Sequence, residues 1–155
     1  MENQQNAADR KITQLLSEIY GGIQVKLAGG ADADGDSLGE QLTNAGQIAV
    51  DRLYSDFSVG DDPNWEKVYN KARVEGGENA LEALGYKGET SNHPVCEAMR
   101  RYIGVGKQGK EISDHFSAAP SGWPQDTIDG GLFAMLAAGV LTGTDTTGNL
   151  SLIHI

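Results

Sequence analysis

The stretch GVGKQGKEISDHFSAAPSGWPQDTIDGGLFAMLAAGVLT, residues 104–142, decides the fold prediction for this chain. Ile112 and Phe116 are four residues apart, so they share one face of a helix predicted over residues 110–116. The run that begins at Thr127 is almost wholly apolar and predicts a second helix that is buried on nearly all sides. Two helices joined by a short turn indicate a helix-turn-helix.

The turn between these helices is defined by residues that exclude helix. Pro120 and Pro124 restrict the backbone, and Pro124 suits the first turn of the second helix. Trp123 lies between turn-forming residues, and we expect it to pack back onto the helices and to fix the turn. We therefore predict four anchors of turn and core: Phe116, Pro120, Trp123 and Pro124.

The sequence as a whole predicts a mainly α fold class. Helical spacing and turn residues indicate a helical N-terminal piece with one short strand, followed by a three-helix, helix-turn-helix or winged-helix-like module. The predicted segments are a disordered tail over residues 1–8, a helical segment over 9–86 with a strand at 23–27, a linker over 87–93, the module over 94–149 and a non-native tail over 150–155.

The same periodicity predicts the hydrophobic core. Each of these side chains is apolar and lies on the expected inner face of a helix or in the turn. The predicted core consists of Ile12, Leu16, Leu42, Leu53, Trp65, Val68, Leu81, Val95, Met99, Ile112, Phe116, Trp123, Ile128, Leu132, Leu136 and Leu141.

Composition restricts the possible functions. A net charge of −10 opposes binding to DNA through bulk electrostatics. The single cysteine, Cys96, excludes an internal disulfide and a cysteine-based zinc cluster, and its apolar neighbours predict a buried thiol. The polar N-terminus is not a signal peptide, and the longest apolar run is too short to span a bilayer. We expect a cytoplasmic protein that does not contact membranes.

Two motifs resemble ligand sites but lack necessary residues. GVGKQGKE at 104–111 matches a phosphate-binding loop, yet Glu111 stands where a hydroxyl should ligate magnesium, and the motif follows a helix instead of a strand. Asp32, Asp34 and Asp36 are spaced like calcium ligands, but the glycine and the bidentate glutamate of such a loop are missing. We predict no catalytic residue, no metal site and no cofactor site in this chain.

The remaining candidate contacts are basic residues near the first helix of the helix-turn-helix. Arg100, Arg101, Lys107 and Lys110 could contact phosphates of a nucleic-acid backbone. The second helix offers no Arg, Lys, Asn or Gln to contact base edges over residues 128–141. Any DNA contact would therefore be weak and independent of sequence, and a protein-interaction module is the favoured interpretation.

A longer stretch, HPVCEAMRRYIGVGKQGKEISDHFSAAPSGWPQDTIDGGLFAMLAAGVL, resembles part of the large P-loop ATPases of the BREX phage-defence systems, the BrxC/PglY family. The preceding phrases DRLYSDF, DDPNWEKV and ALEALGY are also similar, so the resemblance extends over residues 37–141. The matching positions are His93 to Val95, Tyr102 to Gly104, Gly106, Lys107, Gly109 to Ile112, His115, Phe116, Pro120, Gly122 to Pro124, Asp126, Ile128 to Gly130, Leu132 and Leu136 to Gly139.

The resemblance implies a non-catalytic segment of a large ATPase that serves assembly or DNA engagement. Its partners would be other BREX subunits or further copies of itself. ATP and magnesium would bind elsewhere in the parent protein, and none of the family's nucleotide-binding residues corresponds to a position here. The alternative is a small acidic interaction module that has no link to an ATPase.

The last residues, LSLIHI at 150–155, are what a widely used transposon sequencing adaptor, CTGTCTCTTATACACATC, encodes in frame. We therefore expect a fragment whose tail is not native. A genuine strand that closes a wing hairpin is the alternative.

Overall fold

The computed structural model describes residues 2–74, 77–144 and 150–151, and its fold is mainly helical, as the sequence predicts. Contacts between residues divide the chain into two units, Met1–Leu53 and Tyr54–Ile155. The boundary therefore lies between α2 (Leu38–Leu53) and the residues after it, and not at the predicted linker over residues 87–93.

The first unit begins with α1 (Glu2–Tyr20), which starts well before residue 9, where the helical segment is predicted to begin. The prediction of a disordered tail over residues 1–8 is thus wrong for residues 2–8. The physical reason is that this stretch contains no glycine or proline. It is instead rich in alanine and glutamine, which favour helix.

The strand predicted over residues 23–27 is also wrong. In its place a tight turn carries one isolated antiparallel bridge between Lys26 and Asp32. The Leu27 N–H donates to the Ala31 carbonyl at 2.8 Å, which closes the turn. The alternating pattern of apolar residues is present. In the described part of the unit, however, these residues have no partner strand longer than this single bridge.

The Gln41 side chain of α2 takes the backbone groups that a neighbouring strand would otherwise use. Its Oε1 accepts from the Val25 N–H at 2.9 Å, and its Nε2 donates to the Gly35 carbonyl at 3.2 Å. Asn44 adds a third bond from the same helix, to the Asp34 carbonyl at 2.7 Å. Side chains of one helix therefore hold the loop, which explains why it need not form a ladder.

The core predicted for this unit is wrong. Ile12 and Leu16 of α1 are 55% and 48% exposed, and Leu42 and Leu53 of α2 are both 56% exposed. Helical spacing identified the apolar face of each helix correctly. It could not show that, within the described residues, nothing covers those faces.

The second unit is built from short helices around one long buried helix. Its elements are α3 (Phe57–Gly60), α4 (Trp65–Ala72), a 3₁₀ helix (Gly77–Leu84), a 3₁₀ turn (Thr90–Asn92), α5 (Pro94–Ile103), α6 (Gly109–Ser117), α7 (Gln125–Ala137), β1 (Gly143–Thr144) and β2 (Leu150–Ser151). The two strands pair antiparallel, with Gly143 opposite Ser151. Residues 145–149 and 152–155 lie outside the described residues, so the wing and the non-native tail stay predictions.

The segment predicted as a linker, residues 87–93, is part of this unit. Thr90 is buried at the start of its 3₁₀ turn, and the His93 ring lies 4.9 Å from the Tyr86 ring. Polar and breaker residues suggested an exposed connection. They instead form a compact turn whose ends pack against aromatic side chains.

The core predicted for the second unit is confirmed. Its members lie on α4 to α7, on the 3₁₀ helix and in the segments next to α7, and α7 packs most closely against α4. Leu132, Leu136 and Leu141 are only half-buried. The buried members are Trp65, Val68, Leu81, Val95, Met99, Ile112, Phe116, Trp123 and Ile128.

α7 ends at Ala137, before the expected Leu141. Gly139 adopts a φ of 68°, and the Val140 N–H returns to the Met135 carbonyl at 2.9 Å. A glycine in this conformation closes a helix by satisfying its last carbonyls. Pro124 lies directly before the first residue of α7, at the N-cap, and not within the first turn.

Gly130 permits the close approach of α7 and α4. A Cβ at this position would lie 2.9 Å from Cε3 of Trp65 and 3.0 Å from the Trp65 carbonyl oxygen. Both contacts are with groups that are fully buried, so neither can move away cheaply. The absence of a side chain at Gly130 therefore sets the separation of these two helices.

We predict that Gly130→Ala lowers the free energy of unfolding by about 1–3 kcal/mol in a urea titration, because overpacking exceeds the gain in helix propensity. Gly109→Ala is the matched control, since a Cβ there meets nothing within 4 Å. The control should leave stability unchanged or slightly raised. Equal effects of the two substitutions would contradict the proposed close contact.

Candidate functional site

The turn between α6 and α7 is fixed by Trp123. Its ring stacks on Phe116 with centroids 4.9 Å apart and planes inclined by 4°. Its Nε1 donates a hydrogen bond of 3.0 Å to the carbonyl oxygen of Asp56. The expectation that Trp123 packs back and holds the turn is confirmed.

Residues just after the first unit support this turn from the other side. The Asp56 N–H donates to the Pro120 carbonyl at 3.1 Å, and the buried Thr127 hydroxyl donates to the Gly60 carbonyl at 2.9 Å. Tyr54 lies against Gly122, where a Cβ would come within 2.5 Å of its ring. Sequence reasoning missed this support, because no local pattern links residues so far apart in the chain.

The second helix of the predicted helix-turn-helix corresponds to α7, which is the central core helix of its unit. Its buried residues lie on several sides of the helix and include one hydroxyl that bonds within the protein. They are Thr127, Ile128, Gly130, Gly131, Ala134 and Met135. A helix enclosed in this way cannot enter a DNA groove.

The glycine-lysine segment over residues 104–111 is a helix–helix turn. Gly104 ends α5 with a φ of 54°, and its N–H donates to the Arg100 carbonyl at 3.1 Å. Glu111 closes a capping box with Gln108, whose backbone N–H donates to the Glu111 carboxylate at 3.0 Å. Glu111, which stands where a phosphate-binding loop has a hydroxyl residue, therefore has a structural role at the start of α6.

Two of the four candidate phosphate contacts are neutralised on their own helices. Arg101 pairs with Glu97 at 2.9 Å on α5, and Lys110 pairs with Asp114 at 2.8 Å on α6. The Asp114 carboxylate raises the pKa of Lys110, first through the hydrogen bond and then through its charge. A phosphate that binds either cation must compete with these carboxylates.

The other two cations differ from this pair. Arg100 and Lys107 are exposed and have no ion pair within the part of the chain that the structure describes. The Lys107 ammonium lies 5.4 Å from the centre of the Tyr102 ring, within range of a cation–π contact. Of the four candidates, these two are therefore the ones that carry no ion pair among the described residues.

An aromatic stack next to Lys107 was not foreseen. The rings of Tyr102 and His115 are parallel within 4° and their centroids are 3.7 Å apart, which joins α5 to α6. His115 is exposed, and Phe116 meets both rings edge-on. The thirteen-residue separation of Tyr102 and His115 left no helical periodicity that could have revealed the stack.

His93 has a role that the sequence did not indicate. Its Nδ1 accepts a hydrogen bond of 3.3 Å from the Val95 N–H and so caps α5. Its half-buried ring lies edge-on to Trp65 at 5.5 Å and to Tyr86 at 4.9 Å. Burial lowers the pKa of His93, and the charge of Asp62 opposes this effect only in part.

Cys96 is fully buried, as predicted, and burial raises its pKa to about 12. A thiol of this kind is protonated and unreactive at neutral pH. Within the described residues, no three His, Cys, Asp or Glu side chains lie close enough together to hold a metal ion. Asp32, the first of the acidic loop residues, is instead paired with Lys26.

None of the helices in the described part of the chain is both long and apolar enough to cross a membrane. Comparison with models of protein families, with curated proteins and with solved structures finds no match to this chain.

We predict that Trp123→Ala lowers the free energy of unfolding by about 3–5 kcal/mol, because it removes a buried ring and a hydrogen bond. Trp123→Phe keeps a ring that can stack on Phe116 but loses the bond to Asp56 and part of the buried ring volume, so it should cost about 1–3 kcal/mol. Denaturant titration followed by circular dichroism measures both values. A loss below about 1 kcal/mol for the alanine variant would show that Trp123 is not an anchor.

Protonation of His93 should destabilise the second unit. The pKa is lower in the folded state than in the unfolded chain, so the stabilising contribution is complete above the unfolded value of about 6.5 and is lost as the pH falls below it. We expect the free energy of unfolding to drop between pH 7.5 and pH 5.

His93→Asn is the decisive variant, because asparagine can still cap the helix but does not titrate. It should flatten the dependence of stability on pH over this range. His115→Asn, at the exposed stack, is the matched control for the loss of one imidazole side chain. An unchanged slope in His93→Asn would rule out this histidine as the cause.

Proposed function

We propose that this chain is a non-catalytic segment of a large ATPase of a BREX anti-phage defence complex, in which it serves assembly or DNA engagement. In this proposal, ATP and magnesium bind in another part of the parent protein. The segment acts in the cytoplasm, and its partners are other BREX subunits or further copies of the chain.

The observation that carries the proposal is the structural role of the residues that resemble the family. His93 caps α5, Pro94 begins it and Gly104 ends it. Phe116 and Trp123 stack to hold the turn before α7. Residues that form caps, turns and core specify a fold, and this supports a structural role for the segment.

Assembly is favoured over DNA engagement by two features. The helix in the position of a recognition helix, α7, is buried, and two of the four candidate cations are already paired with carboxylates. The net charge of −10 adds repulsion from a DNA backbone. DNA contact, if used, would involve Arg100 and Lys107 and would not depend on sequence.

The alternative is a small acidic interaction module without any ATPase. The exposed apolar side chains of α1 and α2 favour an interaction role and fit either function. The DNA upstream of the codon for Met1 separates the two. A reading frame that continues into a strand followed by a complete phosphate-binding loop supports the ATPase proposal, whereas a stop codon in frame contradicts it.

DNA engagement has its own prediction, tested by fluorescence anisotropy of a labelled duplex over a salt series. Two free cations should give a slope of log K against log salt of about −2, since each phosphate contact contributes roughly −0.9. The variant Glu97→Gln with Asp114→Asn releases Arg101 and Lys110. It should bind more tightly and steepen the slope to about −4.

Asp51→Asn with Glu66→Gln is the control, because it changes the net charge equally but on α2 and α4. It should raise affinity only slightly and leave the slope unchanged. If neither the wild type nor the Glu97/Asp114 variant binds at the lowest salt, DNA engagement is excluded and only the assembly role remains.

A further inference from the structure

α1 carries an apolar stripe that the first unit leaves uncovered. Ile12, Leu15, Leu16 and Ile19 are 55%, 43%, 48% and 62% exposed. Together with the exposed Ala8 they recur at intervals of three and four residues, so they form one continuous line along the helix. A stripe of this length is the surface by which one helix packs against another.

The stability of α1 itself favours a partner for the stripe. A single helix in water gains little from propensity, and helices in proteins are stabilised mainly by burying an apolar face. The described contacts of α1 are local, such as the bond of 2.8 Å from Gln14 to Glu18 within the helix. Covering the stripe would add the missing hydrophobic term.

The spacing of the stripe suits an antiparallel pair of identical helices. When Ile12 is placed opposite Leu15 of a second copy, Ile19 falls opposite the second copy's Ala8, and the twofold axis repeats both layers. The small alanine faces a large isoleucine, so the layers have similar volumes. A contact of this kind is closed, because each copy presents the same surface.

Charge complementarity selects this direction. Lys11 and Glu18 flank the stripe on the same side, and antiparallel pairing brings Lys11 of each copy near Glu18 of the other. Lys11 has no ion pair among the described residues. In a parallel pair, Lys11 would instead lie beside Leu16 of the second copy and no ion pair would form. Antiparallel pairing also places the positive end of each helix dipole beside the negative end of the other, which is favourable.

We propose that α1 is a self-association helix, and that two copies of this chain pair through Ala8, Ile12, Leu15 and Ile19 in the antiparallel direction with reciprocal Lys11–Glu18 ion pairs. This inference deepens the assembly role proposed above, because it names a second copy as the partner. It does not depend on the link to an ATPase, so a failure of that link leaves it standing.

One site in the same unit competes for the stripe. A groove of about 460 Å³ lies between the turn at residues 26–28 and α2, and its walls include Leu27, Ile48 and Leu53. If α1 of the same chain occupied this groove, the stripe would be covered within a monomer. The test must therefore distinguish pairing between copies from packing within one copy.

Sedimentation equilibrium of the full chain over a concentration series is the primary measurement. We expect a reversible monomer–dimer equilibrium, with helix content by circular dichroism rising as dimer forms. Leu15→Glu should weaken dimerisation by at least about tenfold, because each dimer loses the residue twice. Both tryptophans, Trp65 and Trp123, lie in the second unit, so their fluorescence shows whether that unit remains folded.

The charge pairs test the direction. Lys11→Glu or Glu18→Lys alone should weaken dimerisation by about fivefold at low salt, since two attractive pairs become repulsive. The double variant Lys11→Glu/Glu18→Lys should restore wild-type affinity, because the pairs re-form with exchanged charges. Arg10→Glu, which makes the same change of charge away from the stripe, is the control and should have little effect.

Two results would overturn the proposal. The first is a chain that stays monomeric at all concentrations; a lower free energy of unfolding of Leu15→Glu would then show that the stripe packs within one copy. The second is a double variant that dimerises as weakly as the single variants, since this excludes the antiparallel ion pairs. Neither result bears on the reading frame upstream of Met1, so the ATPase proposal is judged separately.

Discussion

The close contact between Trp65 and the glycine face of α7 is the constraint on which the second unit depends. Gly130 lets the backbone of α7 approach the indole of α4, and this approach makes α7 the central core helix. The same indole meets the ring of His93, which caps α5. One buried side chain thus positions α7 directly and the start of α5 through a single neighbour.

This arrangement explains why two helices joined by a tight turn need not bind DNA in the way that a helix-turn-helix does. A recognition helix must keep one polar face exposed, whereas α7 gives its faces to the core. The four candidate cations lie on α5, α6 and the turn between them, and two are neutralised by Glu97 and Asp114. The exposed side chains of α5 and α6 therefore offer little for binding DNA. The residues that resemble the family mainly determine the fold.

The first unit presents the opposite situation. Gln41 and Asn44 hold its loop through side-chain hydrogen bonds, but the apolar stripe of α1 and the exposed leucines of α2 remain open to solvent. Burying such stripes is the ordinary source of helix stability, so the unit has most to gain from a partner. The charges beside the α1 stripe favour a second copy of the chain as its partner. An assembly role therefore agrees with the features of both units.

The helical class, the buried Cys96, the turn around Trp123 and the core of the second unit could be predicted from the sequence, because these follow from local backbone restrictions and from the spacing of apolar residues. What each apolar face contacts could not be predicted, because that is set by the tertiary structure. The bond from Trp123 to Asp56, the ring contacts of His93, the loss of the strand at residues 23–27 and the exposure of Ile12 and Leu42 all depend on groups distant in the chain. Periodicity specifies a face of an element, but it carries no information about the partner of that face.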